Sequence, residues 1–273
     1  MKYFRLTIFL CLLQIVNARK IINTDQAVTM LPAAPPPRPQ TTSLTTEAKW
    51  INSNLPLTVE VASELSDYFT LIQDMAIEWK LAGNSELDFF YINPSLVSNK
   101  DLAILSDYLD GEIGIYKSTN WFSEISPFAI AITQYWGYRK NVGTANEYIE
   151  LSHADLILNY KNFTFTSNNT AGSYDLPSIV LHEMGHMIGL PHIYGLPSIM
   201  GPTISSATQN RIPLTPDKIV LANNYGININ MQRTPSASGF STASKVSSDI
   251  KKFVAKSKQE GEFVRVIHEF FPN

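Results

Sequence analysis

Cysteine is almost missing from this 273-residue chain: the one copy, Cys11, lies in an apolar N-terminal run. Everything after that run must therefore hold together without disulfides. Charge of one sign is scarce as well, since 21 Lys and Arg against 24 Asp and Glu leave a formal net charge of −3. That balance gives no electrostatic reason to invoke nucleic acid. No apolar run reaches the roughly 20 residues that a membrane helix needs, so no transmembrane anchor is expected. Histidine is rare, five in all, yet three of the five fall within residues 182–192. What the chain does have is apolar material: 44% hydrophobic content is ample for a buried core in one or two domains.

The N-terminal run reads as a targeting segment. Lys2 and Arg5 precede an apolar stretch from Leu6 to Val16, and Val16-Asn17-Ala18 is a small-residue cleavage site. Residues 1–18 are therefore read as a signal peptide, cut after Ala18, and the mature protein is expected to be secreted, whether extracellular or periplasmic. Residues 19–48 read as a Pro/Thr-rich linker or short propeptide, because Leu31 to Pro39 favours extended polyproline conformation and the Thr/Ser stretch after it has little to bury. A domain over 49–230 follows, then a linker and C-terminal extension over 231–273.

One stretch organises the domain: His182-Glu183-Met184-Gly185-His186-Met187-Ile188-Gly189-Leu190-Pro191-His192. On a helix, His182 and His186 are four apart and share a face, so two imidazoles can converge on one Zn²⁺ at about 2.0–2.1 Å. Glu183 is placed to reach a water on that metal as general base without becoming a ligand. Gly189 falls where the helix should stop, and glycine enters the left-handed conformation without a Cβ penalty. The turn it makes would return His192 as a third ligand and keep the fourth position open, the mark of a catalytic rather than a structural zinc.

Eight residues after His192, Met200 sits in the turn-rich Pro197-Ser198-Ile199-Met200-Gly201-Pro202. With this methionine in place, the sequence resembles the metzincin metallopeptidases, whose extended zinc motif is followed by a methionine-containing turn beneath the metal. The short gap and the Ser-x-Met form look most like the matrixin branch. Branches with a tyrosine ligand two residues after the methionine are argued against, because that position is Pro202. The resemblance implies an α+β zincin fold: a mixed twisted sheet, an active-site helix and a C-terminal helix.

Several segments fit that plan. Leu55 to Val61 alternates as a strand, residues 64–82 repeat apolar side chains at helical spacing, and Asp88 to Ile92 gives the next strand. Residues 94–110 read as an insertion or a helix. Strands are expected over 112–116, 128–138, 148–151 and 154–159, the zinc helix over about 177–189 with Asp175 and Pro177 at its start, and a last helix over 214–226. Ala154, Asp155, Leu156 and Ile157 resemble the edge strand that lines a matrixin cleft, where an extended peptide can pair by β-augmentation; a purely structural strand is the alternative. The segment 201–213 would form the wall of the pocket that selects the substrate side chain. His153 and His268 are read as non-ligands. Calcium sites stay open, since carbonyl and carboxylate ligands leave little trace in a sequence.

The tail lies outside the resemblance. Ser236 to Ser244 is small and polar, while Val246, Ile250, Phe253 and Val254, then Phe263, Val264, Ile267, Phe270 and Phe271, recur at helical spacing. A helical hairpin on the domain is the expectation, with contact to a partner or a membrane surface as the alternative. The thiol switch that keeps many matrixins latent is excluded, so latency must come from another ligand, an inhibitor or simple occlusion. The expected activity is that of a secreted zinc endopeptidase acting on protein or peptide. Its rival is a catalytically silent, metal-containing binding module that works through its cleft or its C-terminal helices.

Overall fold

The computed structural model describes residues 20–23, 48–228 and 262–273. Its strands in chain order are β1 (Lys20–Asn23), β2 (Ala48–Lys49), β3 (Leu57–Ala62), β4 (Phe90–Ser98), β5 (Ile113–Ser118), β6 (Ala131–Lys140), β7 (Tyr148–Asn159), β8 (Phe165–Thr166), β9 (Tyr174–Asp175), β10 (Thr203–Ile204) and β11 (Phe263–Pro272). The α-helices are α1 (Phe69–Ala82), α2 (Leu176–Met187) and α3 (Thr215–Tyr225).

The main sheet runs β1-β11-β6-β7-β5-β3-β4, with β2 added on β7 and β10 on β11. Strands β4, β3, β5 and β7 are parallel neighbours, β6 is antiparallel to β7, and β11 is antiparallel to β6. This is the mixed α+β arrangement expected from the sequence. The parallel strands are buried on both faces, which explains their near-continuous apolar runs such as Leu156-Ile157-Leu158. On one face the helices close the core. In α1, Ile72, Met75, Ala76 and Trp79 are spaced by three and four and all buried, so the helix docks one stripe against its neighbours. The Trp79 indole N–H donates to the Leu181 carbonyl of α2 at 2.9 Å, which ties the two helices together.

Four expectations need correction. Residues 94–110 are not a helix: β4 runs on to Ser98, and only Leu105–Tyr108 coils, as a 3₁₀ turn. The helix expected over 64–82 opens as 3₁₀ at Ser63–Tyr68 and becomes α-helical only from Phe69. Ala154, Asp155, Leu156 and Ile157 are not on an edge. They lie in β7, all paired with β6 and, from Asp155 on, also with β5, and all four are 0% exposed; the strand is interior to the sheet and offers no open edge to a peptide.

The tail is the fourth correction. Residues 263–272 form no helix but a ten-residue strand in the main sheet. Its Val, Ile and Phe positions satisfy helical spacing by accident. They are β-branched and aromatic, and both faces of the strand are buried, so no polar alternation marked it. The C-terminal helices offered as a partner or membrane contact are thus not found at 263–272, and the helical reading of 246–254 lies outside the described residues. At the other end, Lys20–Asn23 of the expected linker pairs parallel with Val264–Ile267. The targeting segment 1–18 and the proline-rich run also lie outside the described residues. No helix among the described residues is long and apolar enough to cross a membrane.

Candidate metal centre

Helix α2 is defined at both ends by side chains. Asp175 caps its start: the carboxylate accepts the Ser178 N–H at 3.1 Å and the Ser178 hydroxyl at 2.6 Å, and Arg211 donates to it at 2.9 Å. Pro177 sits in the first turn, where no N–H is needed. At the far end two carbonyls left over by the helix find donors, the Trp50 indole on Met187 at 2.8 Å and the Tyr225 hydroxyl on Ile188 at 2.9 Å. Gly189 then turns the chain with φ +82°, and a Cβ there would land on the Ala48 carbonyl. Both dihedral and space therefore require glycine.

That turn brings His192 back over the helix. The Nε2 atoms of His182 and His186 are 3.1 Å apart, and those of His182 and His192 are 3.2 Å apart. Ligands about 2.0–2.1 Å from one tetrahedral ion would stand roughly 3.3 Å from each other, so the spacing is that of a three-nitrogen metal site. The tautomers agree. His182 Nδ1 lies 2.6 Å from the Ile199 carbonyl and His186 Nδ1 2.7 Å from the Leu190 carbonyl, so each Nδ1 carries the proton and each Nε2 turns a lone pair inward. Two lone pairs 3.1 Å apart repel unless a cation lies between them. Zinc fits this donor set.

Burial holds the two helical imidazoles neutral. His182 and His186 are pulled well below the ordinary histidine range, first by desolvation and then by the neighbouring His192 and His268 for one and His268, His192 and His182 for the other. Glu183 is 0% exposed, and Thr133 of β6 donates from Oγ1 to its Oε2 at 2.6 Å and to its backbone carbonyl at 2.9 Å.

The methionine turn lies beneath. A Cβ at Gly185 would collide with Met200 Sδ and the Trp79 ring, so glycine inside the zinc motif is what lets the turn pack this close. Ile193 N–H donates to the Met200 carbonyl at 2.8 Å. Buried Asp217 of α3 anchors the turn, accepting N–H groups from Ile199 at 3.1 Å, Met200 at 3.3 Å and Leu214 at 2.7 Å, and the Ser198 hydroxyl.

His153 stands apart from this centre. Its Nε2 lies 2.8 Å from Asp155 Oδ2 and 3.0 Å from the Tyr108 carbonyl. Burial pushes Asp155 up to about 6, with the His153 charge opposing that shift. His268, by contrast, is brought to the centre by β11. Its ring stacks on His186 with centroids 4.0 Å apart and planes at 11°, and the Phe270 ring stacks on His182 at 3.7 Å and 7°. The sequence reading took His268 as a non-ligand and missed Thr133 and the place of Phe270 beside the centre. A strand-like reading of 263–272 would have been the signal for the two aromatics; nothing local marks Thr133.

Among curated proteins no significant match is found. A family model described as matrixin matches residues 128–226, less than half of the 273-residue chain. The match spans β6, β7, the histidine cluster, the methionine turn and α3, all the parts from which the centre is built apart from the tail strand, Ala48, Trp50 and Trp79. In this stretch the chain is thus similar to the matrixin metallopeptidases.

Proposed function

We propose that the chain is a zinc-dependent endopeptidase that hydrolyses peptide bonds with Glu183 as general base. The observation that carries this reading is the convergence of three imidazoles, with His182 Nε2 3.1 Å from that of His186 and 3.2 Å from that of His192, next to a buried carboxylate on the adjoining residue. His182, His186 and His192 would hold the zinc. When bound there, zinc acts as a Lewis acid, easing deprotonation of water near neutral pH and polarising the scissile carbonyl.

The chain's own groups do the rest. The Glu183 carboxylate takes a proton from the attacking water as the new C–O bond forms, and passes it to the amine nitrogen as the C–N bond breaks. Thr133 Oγ1, donating to Glu183 Oε2, fixes the carboxylate's rotamer. Met200 and Gly185 set the floor beneath the imidazoles without touching the reacting atoms. A peptide would need an extended partner beside the centre, and β6 could provide it only where β11 gives up its pairing, since β6 is bonded to β7 on one side and β11 on the other. Export is part of the proposal and is supported by the charged and apolar pattern of residues 1–18; N-terminal sequencing of the exported protein should begin at Arg19.

The test is zinc content measured alongside cleavage of a mixed peptide library, for residues 19–273 and for Glu183→Ala. About one zinc per chain in both, with cleavage lost by at least ~10²-fold in the variant, is the expected result. Zinc in both with equal cleavage would remove Glu183 from its role. No zinc in either would overturn the metallopeptidase reading, and zinc without cleavage even after the tail is displaced would favour the silent binding module.

A further inference from the structure

The chain places its own terminus on the strand beside the metal centre. Residues Phe263 to Phe270 of β11 pair antiparallel with Tyr138 to Ala131 of β6. On the other side of β11, Phe271 and Pro272 pair parallel with Thr203 and Ile204 of β10, where the Phe271 N–H donates to the Pro202 carbonyl at 3.3 Å and the Asn273 N–H to the Ile204 carbonyl at 3.0 Å. The end of the chain is therefore an extended segment gripped from both sides by backbone groups, the way a sheet edge and a facing wall take up a peptide.

Its side chains close the centre. Val264, Val266, His268 and Phe270 share one face, and none is more than 2% exposed. Phe270 lies flat on His182 and His268 flat on His186, so two of the three converging imidazoles are covered by rings from the tail. The opposite face is fixed by charge: Arg265 donates to Gln134 at 3.1 Å and to Glu124 at 3.2 Å, and Glu269 accepts the Ser126 N–H at 3.1 Å. With no cysteine available outside residues 1–18 to hold the site shut through sulfur, a strand is the means of closure that this chain possesses.

We propose that residues 263–272 are a pseudo-substrate strand that occupies the peptidase cleft and holds it closed until the strand is displaced or cut away. The proposal rests on the peptidase reading above. Tethering sustains the closure: a linked segment acts at an effective concentration on the order of millimolar, so a cut within residues 229–261 would let the strand dissociate at ordinary protein concentrations. The activating event is then proteolysis of the connection, or competition by another extended peptide.

The test locks and opens the strand in the chain from residue 19 to 273. Tyr138 and Phe263 are cross-strand partners with ring centroids 4.8 Å apart, so Tyr138→Cys with Phe263→Cys can form one disulfide, and no other cysteine competes. Val266→Asp with Phe270→Asp opens the strand by placing charge against the core. Each protein is assayed for cleavage of the peptide library and, by fluorescence anisotropy, for binding of a labelled peptide copy of residues 262–273. The oxidised lock is expected to cut cleavage at least tenfold below wild type and to abolish peptide binding, a phosphine reductant restores both, and the opened variant raises both at least tenfold. Peptide binding and cleavage unchanged between the oxidised and reduced lock would overturn the proposal, and that arm decides even if the opened variant does not fold. Peptide binding that follows the lock, with cleavage in none of the proteins, upholds the occlusion and removes the peptidase reading instead.

Discussion

Thr133 shows how much a single hydroxyl can decide. It donates to Glu183 Oε2 at 2.6 Å inside a site with no exposed carboxylate surface, and a hydrogen bond to the ionised form favours that form. Replacing it with valine keeps the shape and removes the donor. With Thr133→Val the carboxylate is harder to ionise, so the acid limb of the kcat/KM profile should move to higher pH, with kcat lower by about tenfold. An unmoved acid limb in the zinc-loaded variant would sink the assignment. The candidate residues legible in the sequence are those held by local geometry: His182, Glu183, His186, Gly189 and His192 lie on one helix and one turn, at the spacing that zinc chemistry asks for. Thr133 acts across 50 residues of sequence. A threonine in a strand is ordinary, and only the pairing of β6 with β7 and the packing of α2 reveal what it touches.

At the scale of elements, the methionine turn is a small device with one anchor. Asp217 gathers three N–H groups and the Ser198 hydroxyl, and the Ile199 carbonyl in that same turn orients His182 through Nδ1. Asp217→Asn turns an amide NH₂ toward donors that had an oxygen. It should cost about 2–3 kcal/mol of stability and weaken zinc by 10–100-fold, the usual effect of disturbing a group that orients a ligand. Thermal unfolding and a competitive zinc titration read both effects; a variant with wild-type values in each would show that the turn holds without its anchor. The α-helices and most strands were legible because their apolar spacing and caps are local: Asp175, Pro177 and the run 214–226 stand where helix ends require them. The strand β11 was not, because ten residues rich in Phe, Val and Ile satisfy helical spacing as readily as strand composition, and the partner that decides between them, β6, is more than a hundred positions away. The same limit produced the misplaced edge. Ala154 to Ile157 was rightly a strand, but its place between β5 and β6 is set by long-range pairing that spacing does not encode.

The whole molecule must be stable without disulfides, and its metal centre works against it when empty. His182 and His186 are buried with their imidazoles neutral, whereas in the unfolded chain each would take up a proton near pH 6.5. Below that pH the unfolded state binds more protons than the folded one, so stability rises with pH and is lost as pH falls. The loss begins near the unfolded value and continues down to the depressed folded values. Each histidine adds a slope of up to about 1.4 kcal/mol per pH unit across that window. The metal-free protein should therefore show a Tm that is level above about pH 7 and falls steeply from roughly pH 6.5 to 5. Zinc behaves differently. Because His182 and His186 are already neutral in the folded chain, binding displaces no proton from these two at pH 6, so affinity should fall there far less than it would with ordinary imidazoles at both positions. At pH 6 the stabilisation by zinc, RT ln(1 + [Zn]/Kd), should thus be nearly as large as at pH 7, while the metal-free baseline beneath it has dropped. Unfolding scans of the chelator-treated and zinc-loaded protein at both pH values measure the two quantities separately. Asp155, pushed up to about 6, opposes this slope, so the histidines' share is read by comparison with a variant carrying His182→Gln and His186→Gln. Its metal-free Tm should fall less between about pH 6.5 and 5, and an equal fall would mean that the histidines are not held neutral by the fold. A zinc-induced gain that vanishes at pH 6 would mean that the site must first expel protons, contrary to the inward lone pairs that the Nδ1 hydrogen bonds to Ile199 and Leu190 impose.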